Sequence, residues 1–164
     1  MRSRPFRTSH LLAAVAVATM FAGTPSTAVA AAPGCEQGTA KGVWELPDSG
    51  MDNGYIDGFL FLSTSPSTLP RYHFTAALTD VPTPCLSCIT GKINGYLDDG
   101  FGPAPDFVVR GSYSGLFLSG KGTFQAQVYT PAGTAPVGKI NGSFADAPGS
   151  TVKGSFKGDW QICN

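Results

Sequence analysis

Glycine, any residue, a large apolar residue, any residue, glycine, any residue, a large apolar residue: this pattern occurs five times in the chain. The copies are Gly54-Ile56-Gly58-Leu60, Gly91-Ile93-Gly95-Leu97, Gly111-Tyr113-Gly115-Phe117, Gly138-Ile140-Gly142-Phe144 and Gly154-Phe156-Gly158-Trp160. Two looser copies carry alanine at one position, Gly38-Ala40-Gly42-Trp44 and Gly122-Phe124-Ala126-Val128. A period of two belongs to a β-strand, whose successive side chains point to opposite faces. A helix would scatter these residues around its circumference, and each interior glycine would cost it about 1 kcal/mol. The intervening residues are polar: Lys92 and Asn94, Ser112 and Ser114, Gln125 and Gln127, Lys139 and Asn141, Lys157 and Asp159. One face of each strand is glycine plus bulky, and the other is polar.

Glycine inside a strand normally weakens it, so the repeat needs a physical reason. Strongly coiled or closed sheets crowd side chains on their concave face, and alternating small with large residues fits that taper. A ring on one strand can also cover the bare backbone at a neighbour's glycine. The copies begin at residues 38, 54, 91, 111, 122, 138 and 154, leaving one long gap. In that gap Tyr72, Phe74, Ala76 and Leu78 alternate with Arg71, His73, Thr75 and Ala77, which makes an eighth strand without glycine. Turn-rich segments separate the strands. The chain is thus predicted to be all-β, with about eight antiparallel strands in a meander, closed as a small up-and-down barrel or a strongly curved sheet. A two-sheet sandwich is the alternative. The alternation is similar to strands of avidin- and lipocalin-type barrels, a likeness of pattern that assigns no family.

Residues 1–30 read as a cleavable secretory signal peptide. Arg2, Arg4 and Arg7 form a positive start, Leu11 to Ala22 an apolar run, and Ala28-Val29-Ala30 a small-x-small cleavage site. The run has 12 residues, short of the roughly 20 needed to span a bilayer. No second long apolar stretch follows, so no transmembrane segment is expected. Residues 31–164 form a single domain on this reading, secreted or otherwise extracytoplasmic, in the periplasm or outside the cell. They hold eight basic and eleven acidic residues, with no basic run of the kind that grips phosphate backbones, which argues against nucleic acid as a partner.

All four cysteines lie in that domain, and in an exported protein an even count favours disulfides. Cys35 and Cys163 flank the first and last strands, and pairing them would close the sheet. Cys85 and Cys88 would then form a local bridge. A redox Cys-x-x-Cys opens a helix, whereas here Pro82 and Pro84 precede the motif and a strand follows it.

Complete catalytic constellations are missing. His73 is the one histidine of residues 31–164, and no Gly-x-Ser-x-Gly elbow accompanies it. Ser150-Thr151-Val152-Lys153 matches Ser-x-x-Lys but starts a strand rather than a helix. Asp98, Asp99 and Asp106 form one candidate calcium cluster, and Asp48, Asp52 and Asn53 another; both also fit turn-forming residues. No cofactor is implied. Tyr113, Phe156 and Trp160 are candidates for lining a ligand pocket or for plain core. Phe59, Phe61, Leu116 and Leu118 lie on the otherwise polar face, where they are either covered by loops or form an exposed apolar patch that marks a contact. The leading expectation is a secreted, non-catalytic domain that binds a protein or a small apolar ligand, or has a structural envelope role. A hydrolase with a loop-assembled site and a calcium-stabilised module are the alternatives.

Overall fold

The computed structural model describes residues 34–46, 54–64 and 69–163. The proposed signal peptide and the Asp48, Asp52 and Asn53 cluster lie outside them. Eight strands follow in order: β1 (Cys35–Glu45), β2 (Gly54–Leu62), β3 (Tyr72–Asp80), β4 (Cys88–Asp98), β5 (Phe107–Leu116), β6 (Lys121–Tyr129), β7 (Pro136–Asp146) and β8 (Lys153–Cys163). Each pairs antiparallel with its sequence neighbour, and β8 pairs back onto β1, so the sheet is a closed barrel. The curved-sheet and sandwich alternatives fall away. One turn of 3-10 helix, Phe117–Ser119, is the only helical piece among the described residues.

Alternation decides which side chains fill the barrel. Leu60, Phe74, Ile93, Leu97, Val109, Val128 and Ile140 are wholly buried, and the polar residues between them face out. The strand glycines let the rings in. A methyl at Gly42 or Gly58 would stand 2.6 Å from the Phe156 ring, and one at Gly142 would stand 2.5 Å from the Phe124 ring. The Tyr113 ring likewise lies over Gly91, and the Phe144 ring over Gly122. The bulky half of the repeat on one strand therefore packs onto the glycine half of another. The rings then meet edge to face, Phe124 with Phe156 at 5.6 Å and Tyr72 with Trp160 at 5.8 Å, a geometry that aligns ring edges with ring faces.

The meander gives the barrel two unlike ends. The terminal end holds the β2–β3, β4–β5 and β6–β7 connections. There the disulfide Cys35–Cys163 joins directly opposed residues of β1 and β8. Glu36 takes the Tyr72 hydroxyl at 3.1 Å and the Arg71 guanidinium at 3.1 Å, so the mouth is closed by polar groups. The far end holds the β1–β2, β3–β4, β5–β6 and β7–β8 connections.

Candidate functional site

The far end exposes apolar side chains among its charged ones, as Leu69 and Phe101 are exposed near the terminal end. Leu86 is fully exposed, Leu118 is 89% exposed and Leu116 53%, with Val81 and Val152 also reaching solvent. Leaving a leucine in water forgoes about 1.5–3 kcal/mol of burial free energy. Local structure holds these residues out. Val81 N–H donates to the Thr90 carbonyl at 2.8 Å, and the Thr90 hydroxyl returns a bond to the Val81 carbonyl at 3.0 Å, pinning the neck of the β3–β4 loop. The Cys85–Cys88 disulfide closes its tip around Leu86 and Ser87. The β5–β6 turn is pinned as well. Gly120 N–H and the Ser119 hydroxyl both donate to the Leu116 carbonyl at 3.1 Å, and Gly120 turns the chain with φ +58°.

Just inside this end lies a cavity of about 20 Å³ among apolar and aromatic side chains that include Trp44, Leu46, Ile89, Tyr113 and Phe144. That is room for about one water, against roughly 300–1,000 Å³ for a small-molecule pocket. The Tyr113 hydroxyl donates to the Asp80 carboxylate across the rim. Burial first, and this bond second, push the Tyr113 hydroxyl well above the usual tyrosine range. The Trp44 Nε1 is buried and has no hydrogen-bond partner among the described residues.

The other sequence candidates fall in different places. Tyr113 and Phe156 border the small cavity, but Trp160 does not. Its Nε1 donates to the Phe61 carbonyl at 3.1 Å toward the terminal end. All three rings are core, at 6%, 4% and 2% exposure, so they do not line one ligand pocket. Phe59, Phe61, Leu116 and Leu118 do not form one patch either. Phe59 and Phe61 stand on the outer wall of β2: Phe59 stays 40% exposed with His73 stacked on it at 4.9 Å, and Lys41 sits 4.5 Å over the half-buried Phe61. Leu116 and Leu118 belong to the far end. Leu86 was not a sequence candidate. One apolar residue between two cysteines has no periodicity to announce it.

The groups with catalytic or metal-binding chemistry are occupied locally. His73 Nε2 lies 3.3 Å from Asp57 Oδ2 on the convex wall. The Ser150 hydroxyl accepts from the Val152 and Lys153 amides at 3.2 Å, a turn rather than a Ser-Lys pair. Asp98, Asp99 and Asp106 do converge, with carboxylate oxygens within 4.8 Å of one another. They accept from the Gly100, Phe101 and Asp99 amides, and Arg71 Nη1 lies 3.7 Å from Asp99. These contacts shape the β4–β5 loop.

Comparison with protein-family models, curated proteins and solved structures finds no match to this chain. Among the described residues no helix is long and apolar enough to cross a membrane.

Proposed function

We propose that the protein is an exported, non-catalytic β-barrel that works by binding, and that its far end docks onto an apolar surface of a protein partner. The observation that carries this reading is the fully exposed Leu86 at the apex of a disulfide-closed loop, beside the exposed Leu116–Leu118 turn. A rigid loop has little conformational entropy left to lose on binding. Its disulfide fits export, because such bonds persist in oxidising compartments. The interior, filled with rings and aliphatic side chains, leaves a surface rather than a cavity to do the work. A lipid surface is the weaker occupant. Lys121 and Lys153 at this end are offset by Glu45, Asp80 and Asp146, so anionic headgroups gain nothing. Two leucines alone give roughly 3–6 kcal/mol, which corresponds to a Kd between about 6 mM and 40 μM.

The test compares the wild type with L86D/L118D in the producing cell, by fractionation into envelope-bound and free protein. Both positions are exposed, so the variant is expected to melt with the wild type. Retention of the wild type at the envelope, its loss after protease treatment of the envelope, and release of the variant support the reading. Equal distribution of the two proteins, or equal binding of the wild type to protein-free phosphatidylcholine vesicles, overturns it.

A further inference from the structure

The outward faces of β4–β8 separate charge in a way that the chain does not show. Register sets Arg110 across from Gln127, and Gln127 across from Lys139. The adjoining row runs Lys92, Ser112, Gln125 and Asn141 in the same cross-strand order. Neighbouring strands lie about 4.8 Å apart, so Arg110 and Lys139 are about 10 Å apart at the backbone. A shallow hollow of about 390 Å³ lies over these two rows, lined by Arg110, Ser112, Gln125, Gln127, Lys139 and Asn141. Lys157 extends the cationic face on β8.

Carboxylates are nearly missing from this wall. Asp159 is the one acidic residue that projects from it between the strand ends, in a domain with eleven acidic residues. The ion pairs among the described residues involve Arg71 and His73, so none neutralises Lys92, Arg110 or Lys139. Part of the wall is also held in place. The Arg110 guanidinium rests 5.3 Å from the centre of the Tyr129 ring, and the Tyr129 hydroxyl donates to Gln127 Oε1 at 2.5 Å. Tyr129 sits where the β6–β7 register shifts, after Val128. A bulge of this kind re-aims the side chain that follows it.

From this arrangement we infer that the β4–β7 wall is a binding site for an acidic polysaccharide. The cations meet its carboxylate or sulfate groups, and the serine, asparagine and glutamine side chains between them pair with sugar hydroxyls. Nucleic acid fits less well. Single-stranded binding calls for a run of open aromatic faces, whereas Arg110 covers Tyr129 and Tyr96 of β4 is the one ring left exposed beside the two rows. The centre of the wall presents no apolar side chain to a bilayer. This site is separate from the far end, and either can fail without the other.

The test measures binding of the exported protein to polygalacturonate, to neutral dextran and to single-stranded DNA at 20 mM salt. Polygalacturonate should bind, dextran should not, and 200 mM salt should weaken binding at least tenfold. R110E/K139E should lose at least tenfold in affinity. The charge-matched control K41E/K153E, altered outside the two rows, should lose less than threefold. If R110E/K139E does not fold, R110Q/K139Q replaces it, with a threefold loss or more expected. No binding to polygalacturonate, equal losses in the variant and its control, or DNA binding as tight as polygalacturonate binding overturns the inference. The domain carries a net negative charge, so bulk electrostatics would repel all polyanions and cannot mimic the result.

Discussion

Cys88 of β4 lies directly across from Leu116 of β5. The chain therefore reaches Leu86 two residues before one partner and Leu118 two residues after the other, past the same end of one strand pair. Two loops far apart in sequence are brought to one place by a single rung of the ladder. The Cys85–Cys88 bridge begins at that rung, which ties the fully exposed Leu86 to the end of the β4–β5 ladder.

The two disulfides should then differ in what they do. On the chain-entropy account, the Cys35–Cys163 bridge, with a sequence separation of 128, contributes about 5 kcal/mol. The Cys85–Cys88 bridge, with a separation of 3, contributes about 2 kcal/mol. Urea unfolding of C35S/C163S and C85S/C88S should show this order. C85S/C88S should nonetheless reduce envelope retention more, because it loosens the loop that presents Leu86. The reverse order in stability would refute the loop-closure account.

Glycine-to-alanine changes in the strands should destabilise. In an ordinary strand, alanine recovers about 0.5–1 kcal/mol of conformational entropy. Here a methyl at Gly142 would stand 2.5 Å from the Phe124 ring, and one at Gly58 would stand 2.6 Å from the Lys41 carbonyl oxygen. Overpacking of this kind costs about 1–3 kcal/mol. Gly102 has no neighbour closer than 3.6 Å and serves as the control, with a change within about 0.5 kcal/mol. A higher melting temperature for G142A or G58A would show that the rings do not need the bare backbone.

Inner faces were legible in the sequence because period-two alternation is a local property. Tyr72 to Leu78 revealed β3 without any glycine, and the repeat placed the other seven strands. Relations between strands were not legible. Phe59 and Leu116 obey the same local rule, yet the register sends one to the β2 wall and the other to the far end. The cationic wall was hidden for the same reason. Lys92, Arg110 and Lys139 are separated by long stretches of chain and become neighbours only through cross-strand pairing. Leu86 was hidden differently, since nothing in a six-residue Thr-Pro-Cys-Leu-Ser-Cys loop says whether its leucine points in or out.

Calcium should leave the melting temperature unchanged, as should a chelator. The carboxylates of Asp98, Asp99 and Asp106 already accept backbone amides of their own loop, and Arg71 supplies a positive charge at Asp99. A divalent ion would have to displace these partners. Thermal melts in 5 mM calcium and in excess chelator test this, and a calcium-dependent rise of several degrees would restore the calcium-stabilised module.

Alkaline pH should unfold the barrel through Tyr72 and Tyr113. Burial is the leading cause that raises both hydroxyls above their usual range; the negative charge of Glu36 adds to it at Tyr72, and the bond to Asp80 adds to it at Tyr113. The folded state therefore holds these protons to higher pH than the unfolded chain. The sign follows: their contribution is fully present below about pH 10, where both states are protonated, and is lost as pH rises above it. Each tyrosine adds a slope of up to about 1.4 kcal/mol per pH unit in that window. Y113F removes one titrating group and its bond to Asp80. Its urea midpoint should fall below that of the wild type at pH 8, yet decline less steeply between pH 10 and 11. Parallel declines for the two proteins would mean that Tyr113 ionises as freely in the barrel as in the unfolded chain.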